Sequence, residues 1–334
     1  MKRVNILVTG GAGYIGSKIA HDLIQNKFNV IVIDNLATGY KFLVPKKAKF
    51  IKADILNYKK IESIFIKYKI DSVIHLAASL SVEESQKRPL KYYMNNVLGL
   101  ENMLKLVSEF QVNSFVLSST CAIFGNSQRG AVHENSVQLP ESNYGKTKLM
   151  SETLLINYAK KFKFQYAILR YFNVIGADKF LKTGPVKSPT LFKVLAKNII
   201  SNNLSIKIYG KDYSTKDGTC LRDFIDINDL SNLHLEALKK IKKLKKSFIL
   251  NCGYGMPKTV LEIVNEFAKV INKKIKINYF PRRNGDVEKI YCNNQRLTKI
   301  LKKWKPKFKL NHSIKNQLMW EKKLRKYNVF TKRK

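Results

Sequence analysis

Thr9-Gly10-Gly11-Ala12-Gly13-Tyr14-Ile15-Gly16 is the stretch on which the fold turns. It follows an apolar run, Val4–Thr9, with the length of a buried strand, and it opens a helical pattern over Tyr14–Asn26. Glycines at 10, 13 and 16 suit a strand-to-helix turn. One permits a tight bend, another lets a ligand approach the backbone, and the last lets helix and strand pack closely. The first turn of such a helix offers unpaired N–H groups and a positive dipole end, which together attract phosphate.

The second apolar run, Val30–Ile33, ends on Asp34, with Asn35 next. A carboxylate at that place accepts the hydroxyls of an adenosine ribose, and it favours NAD over NADP because a 2′-phosphate would meet like charge. Further runs at Lys49–Lys52, Ser72–Leu76, Ser114–Ser119 and Gln165–Tyr171 alternate with helical patterns at Lys59–Tyr68, Leu90–Phe110 and Tyr144–Phe162. That alternation predicts an α/β fold with a doubly wound parallel sheet, a Rossmann-like dinucleotide-binding domain. We place this domain over 1–175, completed by segments near 210–255, with a smaller α/β substrate domain over 176–334. After the turn signals Thr183-Gly-Pro and Lys187-Ser-Pro, the second part reads as helices at Thr190–Ile200, Asn228–Lys239, Val260–Val270 and His312–Lys326, with a strand at Ile206–Tyr209. Asp54 falls where an adenine contact is expected, or serves as a strand-end cap. Leu76-Ala77-Ala78 brings small residues to the sheet edge, for cofactor passage or for tight packing.

Tyr144-Gly-Lys-Thr-Lys148 begins a helix and places a phenol and an ammonium on one face, four residues apart. A free tyrosine is about 0.1% phenolate at neutral pH, and a neighbouring cation favours the anion. The preceding strand ends in hydroxyls, Ser118-Ser119-Thr120, able to hold a substrate alcohol beside that phenol. Glycine loop, hydroxyl strand end and Tyr/Lys helix arrive in the order of a dehydrogenase-like site.

The 334 residues are 45% hydrophobic and 26% charged, ordinary for a folded protein. No apolar run reaches the ~18 residues of a membrane span, and the basic start breaks at once into glycines, unlike a signal peptide. Membrane insertion is not expected. Lys+Arg of 62 against Asp+Glu of 24 gives +38, but lysine dominates, with short clusters only at Lys239–Lys246 and in the tail. Abundant Lys, Ile and Asn match adenine- and thymine-rich codons, so dedicated nucleic-acid binding is not expected. Cys121, Cys220, Cys252 and Cys292 show no paired spacing, which speaks against a metal centre and a disulfide framework and fits a reducing cytoplasm.

Over about residues 3–325 the chain resembles the extended short-chain dehydrogenase/reductases, and among them the UDP-glucose 4-epimerases. The glycine and Tyr/Lys blocks are shared across that superfamily. Arg170-Tyr-Phe-Asn173, Asp217-Gly-Thr-Cys-Leu-Arg-Asp223 and Pro281-Arg-Arg-Asn-Gly-Asp286 are more specific to sugar-nucleotide epimerases. The resemblance implies an isomerase that inverts the 4-hydroxyl of a UDP-hexose, UDP-glucose/UDP-galactose or else another UDP-sugar (UDP-N-acetylglucosamine, UDP-xylose or UDP-glucuronate), through a 4-keto sugar, with tightly held NAD regenerated in each cycle. Tyr144 would be the base, Lys148 would hold the nicotinamide ribose and lower the phenol pKa, and Thr120 would orient the proton. Gly10, Gly13, Tyr14, Ile15, Gly16, Asp34, Asn35, Asp54, Ile55, Ala77, Ala78, Asn96, Ser118 and Phe172 would line the cofactor. Asn173, Thr190, Leu191, Tyr209, Arg222, Arg283 and Asp286 would meet the nucleotide sugar, the two arginines at its diphosphate; Arg222 has a local ion pair with Asp223 as its alternative. A homodimer built on Leu90–Phe110 and Tyr144–Phe162 is also implied.

Three departures concern substrate recognition more than redox chemistry. Phe224 stands where some relatives carry Tyr, Thr190 where Asn or His is frequent, and the Asp178–Pro189 loop is short. Leu80 replaces a Lys found in some members near the pyrophosphate. The resemblance places Ile290, four residues beyond Asp286, where in that family a large ring tends to exclude an N-acetyl group; a β-branched residue of intermediate size predicts preference for UDP-glucose/UDP-galactose, with slow action on the N-acetyl pair. A 4,6-dehydratase would carry Asp-Glu directly after Thr120, where this chain has Cys121-Ala122. A non-catalytic NAD-binding protein would have no need of the Tyr/Lys pair.

Overall fold

The computed structural model describes residues 4–126, 130–283 and 286–326. Seven parallel strands form the main sheet: Asn5–Thr9 (β1), Asn29–Asp34 (β2), Lys49–Lys52 (β3), Ser72–His75 (β4), Ser114–Thr120 (β5), Gln165–Tyr171 (β6) and Phe248–Cys252 (β7). Their spatial order is β7-β6-β5-β4-β1-β2-β3. The order reverses between β1 and β4, and the crevice beyond the strands' carboxyl ends at that reversal is where doubly wound folds bind ligands. The sheet is the Rossmann-like one expected.

The longer helices are Tyr14–Gln25 (α1), Tyr58–Tyr68 (α2), Gly99–Glu109 (α3), Asn143–Phe162 (α4), Leu191–Ile200 (α5), Ile227–Leu244 (α6), Val260–Ile271 (α7) and Leu310–Lys326 (α8). Alternate strand residues separate the two cores. Ile6, Val8, Val32 and Leu250 pack with Ile19 and Leu23 of α1 and Leu230 and Leu233 of α6. Leu7, Ile31, Val73 and Phe115 face Phe65 of α2, Leu100 and Leu104 of α3 and Leu155 of α4. A third core joins α5, α7 and α8 to the strands Ser205–Tyr209 and Phe224–Asp226.

The pattern read as one helix over Leu90–Phe110 is built in three pieces: a turn at Pro89–Tyr92, a π-helical segment at Tyr93–Leu98, and α3. A Cβ on Gly99 would lie 2.5 Å from Ile55 Cδ1, so the helix runs hard against the turn after β3. The π segment carries Asn96 into the interior, where it serves the site.

Several helix ends are capped unusually. Lys69, Lys163 and Lys245 close α2, α4 and α6 in the left-handed region, at φ of 46°, 61° and 49°. Each N–H still closes the last turn, as in Lys163 N to Ala159 O at 2.9 Å, but the Cβ carries a steric cost that glycine avoids. Glycine's greater unfolded entropy offsets part of that gain. Lys163→Gly and Lys245→Gly should therefore each stabilise by about 0.5–1 kcal/mol, raising the melting temperature by roughly 1–2 °C apiece. Unchanged or lower melting in the double variant would show that these caps are unstrained.

Candidate active site

The glycine loop is shaped by its own crowding. A Cβ on Gly16 would sit 2.3 Å from Gly10 O, and one on Gly10, whose φ is +67°, would sit 2.8 Å from the Ala77 nitrogen. Beyond Gly13, by contrast, a Cβ would meet only Gly10 O at 3.2 Å. Gly13 is the N-cap of α1, with no capping side chain and no carboxylate in the first turn, so the leading N–H groups are open to an anion. Asp34 is pinned at the end of β2: Ala12 N–H donates to its Oδ2 at 3.0 Å and Leu36 N–H to its Oδ1 at 2.8 Å. Burial pushes this carboxyl up while those two bonds pull it back. An uncapped glycine-lined helix start beside an oriented carboxylate fits NAD. Tyr14, Ile15 and Gly16 lie on that first turn, but the Tyr14 hydroxyl reaches away to Gly176 O at 2.6 Å. Asn35 and Asp54 bond each other, Nδ2 to Oδ2 at 2.9 Å. Ile55 is buried beneath Gly99, and Ala78 is half-buried on the strand-end loop.

Asn96 welds that loop to the Tyr/Lys helix. Its Oδ1 accepts from Ser79 N–H at 2.7 Å, and its Nδ2 donates to Ser79 O and Thr147 Oγ1, both at 3.1 Å. Below it, Thr9 Oγ1 and His75 Nδ1 lie 3.0 Å apart, and the Thr9 hydroxyl also accepts from Leu76 and Ala77 N–H at 3.1 Å. Burial, with Lys148 nearby, drops the His75 imidazole to about 3. A depressed histidine contributes stability that is fully present above its unfolded value near 6.5 and is lost as pH falls toward the folded value. At pH 5 that loss is on the order of 2 kcal/mol. The melting temperature of His75→Asn should therefore fall less steeply between pH 7 and 5 than that of the parent; parallel profiles would contradict the assignment.

Tyr144 and Lys148, both buried, stand on α4 against the end of β5, beside Thr120, whose hydroxyl accepts from Ala122 N–H at 3.1 Å. The sequence suggests a phenol lowered by its cationic neighbour. Burial instead pushes Tyr144 well above the ordinary tyrosine value, and the Thr120 hydroxyl pulls against it. The protein alone thus holds the phenol protonated. Burial brings the Lys148 ammonium down to about 8, with Glu152 pulling it back up. Ser118 is half-buried on β5, the Tyr171 phenol bonds His234 Nε2, and Phe172 is buried beside Ile123, Phe124 and Ile290.

Sequence reasoning missed the support behind this pair. Glu152, one turn beyond Lys148, accepts from Ser119 Oγ at 2.5 Å and takes a bidentate grip from Arg170, Nε at 3.0 Å and Nη2 at 2.6 Å. Arg170 Nη1 also donates to Glu134 O at 2.8 Å. The i, i+4 spacing of Lys148 and Glu152 was a readable signal; the pairing with Arg170 required the fold.

Across the cleft, Arg283 lies over the Tyr209 ring, 3.8 Å from its centroid. Arg222 Nη1 donates to Leu221 O at 2.9 Å and Glu288 O at 3.2 Å. Asp223 does not pair with Arg222: it accepts from the N–H groups of Tyr254, Gly255 and Cys292. Among the described residues, neither Arg222 nor Arg283 has a carboxylate within ion-pair distance. Asp286 follows Arg283, its N–H donating to Arg283 O at 3.2 Å. Asn173 and Thr190 are exposed, and Leu191 is half-buried at the start of α5. Among the described residues no cluster of metal-ligating side chains occurs, the four cysteines are free, and no helix is long and apolar enough to cross a membrane.

Comparison with known proteins agrees with this geometry. A model of the NAD dependent epimerase/dehydratase family matches residues 6–253. The UDP-glucose 4-epimerase of Azospirillum brasilense is 33% identical over 323 residues, covering 96% of this chain and 92% of that protein. UDP-arabinose 4-epimerase 1 of Arabidopsis thaliana is 36% identical, covering 95% and 79% respectively. The crystal structure of a UDP-glucose 4-epimerase from Stenotrophomonas maltophila, with bound NAD and formylated UDP-arabinopyranose, superposes with a TM-score of 0.93 at 30% identity, covering 97% of this chain and all of that one. The chain belongs to the NAD-dependent epimerase/dehydratase family. It is an isomerase, and its cofactor is NAD.

Proposed function

We propose that this enzyme interconverts UDP-glucose and UDP-galactose by inverting the 4-hydroxyl. The observation that carries the reading is the buried Tyr144–Lys148 pair on α4, packed against the end of β5, together with Arg222 and Arg283, neither of which has a carboxylate ion-pair partner among the described residues. Bound NAD supplies the hydride acceptor and donor for C4, together with a positive ring that favours the phenolate. Tyr144 Oη takes the proton of the 4-hydroxyl, and Thr120 Oγ1 orients that hydroxyl. The 4-keto sugar turns over, C4 takes the hydride back on its opposite face, and Tyr144 Oη returns the proton to the oxygen at C4. Gly13, the N–H groups of α1 and Asp34 hold the cofactor's phosphates and ribose, and Lys148 holds the nicotinamide ribose. Arg222 and Arg283 grip the diphosphate, matching planar forks to phosphate oxygens. Residues 1–175 with β7 would form the cofactor part, and most of 176–334 the sugar-nucleotide part.

Two further readings belong to the same proposal. Leu90, Met94 and Met150 are exposed along the helices expected to pair two copies, which supports a homodimer. Ile290 is 4% exposed beside Phe172 and Ile123, and we assign it to the wall of the sugar pocket. Accommodating an N-acetyl group would displace it at a cost of roughly 1–3 kcal/mol. Assays with UDP-galactose, UDP-N-acetylgalactosamine and UDP-xylose should show the hexose pair preferred by roughly ten- to 150-fold over the N-acetyl pair, and Ile290→Ser should narrow the gap. Equal efficiencies in the parent enzyme would remove Ile290 from that role, and faster turnover of UDP-xylose would overturn the hexose assignment.

A further inference from the structure

The linear sequence scatters the lysines; the fold regathers many of them. The strands of the main sheet start along one edge, in register, as in Asn5 with Asn29 and Ser114 with Ser72 and Gln165. The turns that feed them are neighbours in space. Asn5 Nδ2 donates to Tyr68 O at 2.6 Å, Gln165 N–H to Asn113 O at 3.2 Å, and Tyr166 N–H to Ser247 Oγ at 3.1 Å. Six entry segments, 24–29, 45–49, 66–71, 109–114, 160–165 and 239–247, together carry fifteen lysines, no arginine and two carboxylates. Those carboxylates are occupied: Asp71 accepts from Asn5 N–H and Glu109 from the Tyr58 hydroxyl, both at 2.7 Å. All the lysines but Lys240 are exposed, and among the described residues only Lys239 has a carboxylate partner, Glu236 at 3.1 Å. Lysines near helix C-termini complement the macrodipole, but that effect explains one or two per helix, not the six at the end of α6.

We propose that this face docks the enzyme on an anionic phospholipid surface. A lysine ammonium is a compact, hydrated point charge suited to a diffuse layer of headgroups, and each one near such a surface contributes about 1 kcal/mol. Ile66 and Leu244, 62% and 41% exposed in the last turns of α2 and α6, offer apolar contact at the same edge. Nucleic acid is the poorer fit, because the face combines its lysines with exposed apolar Ile66 and Leu244, which a phosphodiester backbone does not engage, and has no arginine fork. Docked in this way, the carboxyl edge with the glycine loop, Thr120 and Tyr144 points away from the lipid, and the cleft stays open to its nucleotide substrate.

The experiment is co-sedimentation of the full-length enzyme with vesicles at about 0.1 M salt, where surface attraction reaches about 10 Å. Vesicles of phosphatidylcholine containing phosphatidylglycerol are compared with phosphatidylcholine alone. The triple variant Lys242→Glu/Lys243→Glu/Lys245→Glu should lose at least about tenfold in binding to the anionic vesicles. Lys302→Glu/Lys303→Glu/Lys305→Glu makes the same change in net charge away from this face and should stay within about twofold. Both should keep parental turnover. Equal losses in the two variants, failure to bind anionic vesicles, equal binding to neutral ones, or displacement from vesicles by duplex DNA at matched phosphate concentration would each overturn the proposal.

Discussion

Tyr144→Phe is expected to lower turnover by at least about a hundredfold, or roughly 3 kcal/mol in the barrier, while the protein remains folded and keeps its NAD. The substitution removes one hydroxyl and almost no volume from a side chain that is 9% exposed. The lost group lies beside Thr120 at the end of β5. On the proposed mechanism, the positive ring of the bound cofactor would turn this buried phenol, held protonated in the protein alone, into a base. Loss of cofactor should therefore abolish proton abstraction as well as redox chemistry. Turnover in the variant above about a tenth of the parent, a change under 1.4 kcal/mol, would reassign the base.

Arg170→Met is expected to destabilise the fold by about 3–5 kcal/mol, a large part of the stability of an ordinary domain. Arg170 and Glu152 are each 2% or less exposed, and their pair ties β6 to α4 while Ser119 ties β5 to the same carboxylate. Removing the guanidinium leaves a buried charge without its counter-ion. The double variant Arg170→Met/Glu152→Leu replaces both charges with apolar groups and should recover much of the loss. Denaturant unfolding of the three proteins measures this. A loss under about 1 kcal/mol in Arg170→Met, or a double variant that loses as much as the two single changes combined, would show that the pair does not hold the helix.

The cofactor half of the molecule was legible because its signals are local. A strand, a glycine turn, a helix and an acid at the next strand end fix one another within Val4–Asp34, and the structure keeps those limits to within a residue. The second half was harder to read. Leu221–Arg222 and Lys258–Thr259 are two-residue strands, too short to show a period, and they exist because distant segments pair with them. β7 offers only the short apolar run Phe248-Ile-Leu, at which no strand was expected, and it is held in the sheet by β6. The Arg170–Glu152 pair and the basic edge were likewise invisible, because each joins residues apart in the chain; the π-helical segment at Tyr93–Leu98 lies inside a pattern that reads as one continuous helix.

The most direct test of the central claim follows deuterium at C4. UDP-galactose labelled there should give UDP-glucose that keeps the label at C4, with no NAD added to the purified enzyme, because the hydride leaves and returns within one site. Conversion with the deuterium lost to solvent, or no conversion until NAD is supplied to every cycle, would contradict inversion through a 4-keto sugar on a retained cofactor.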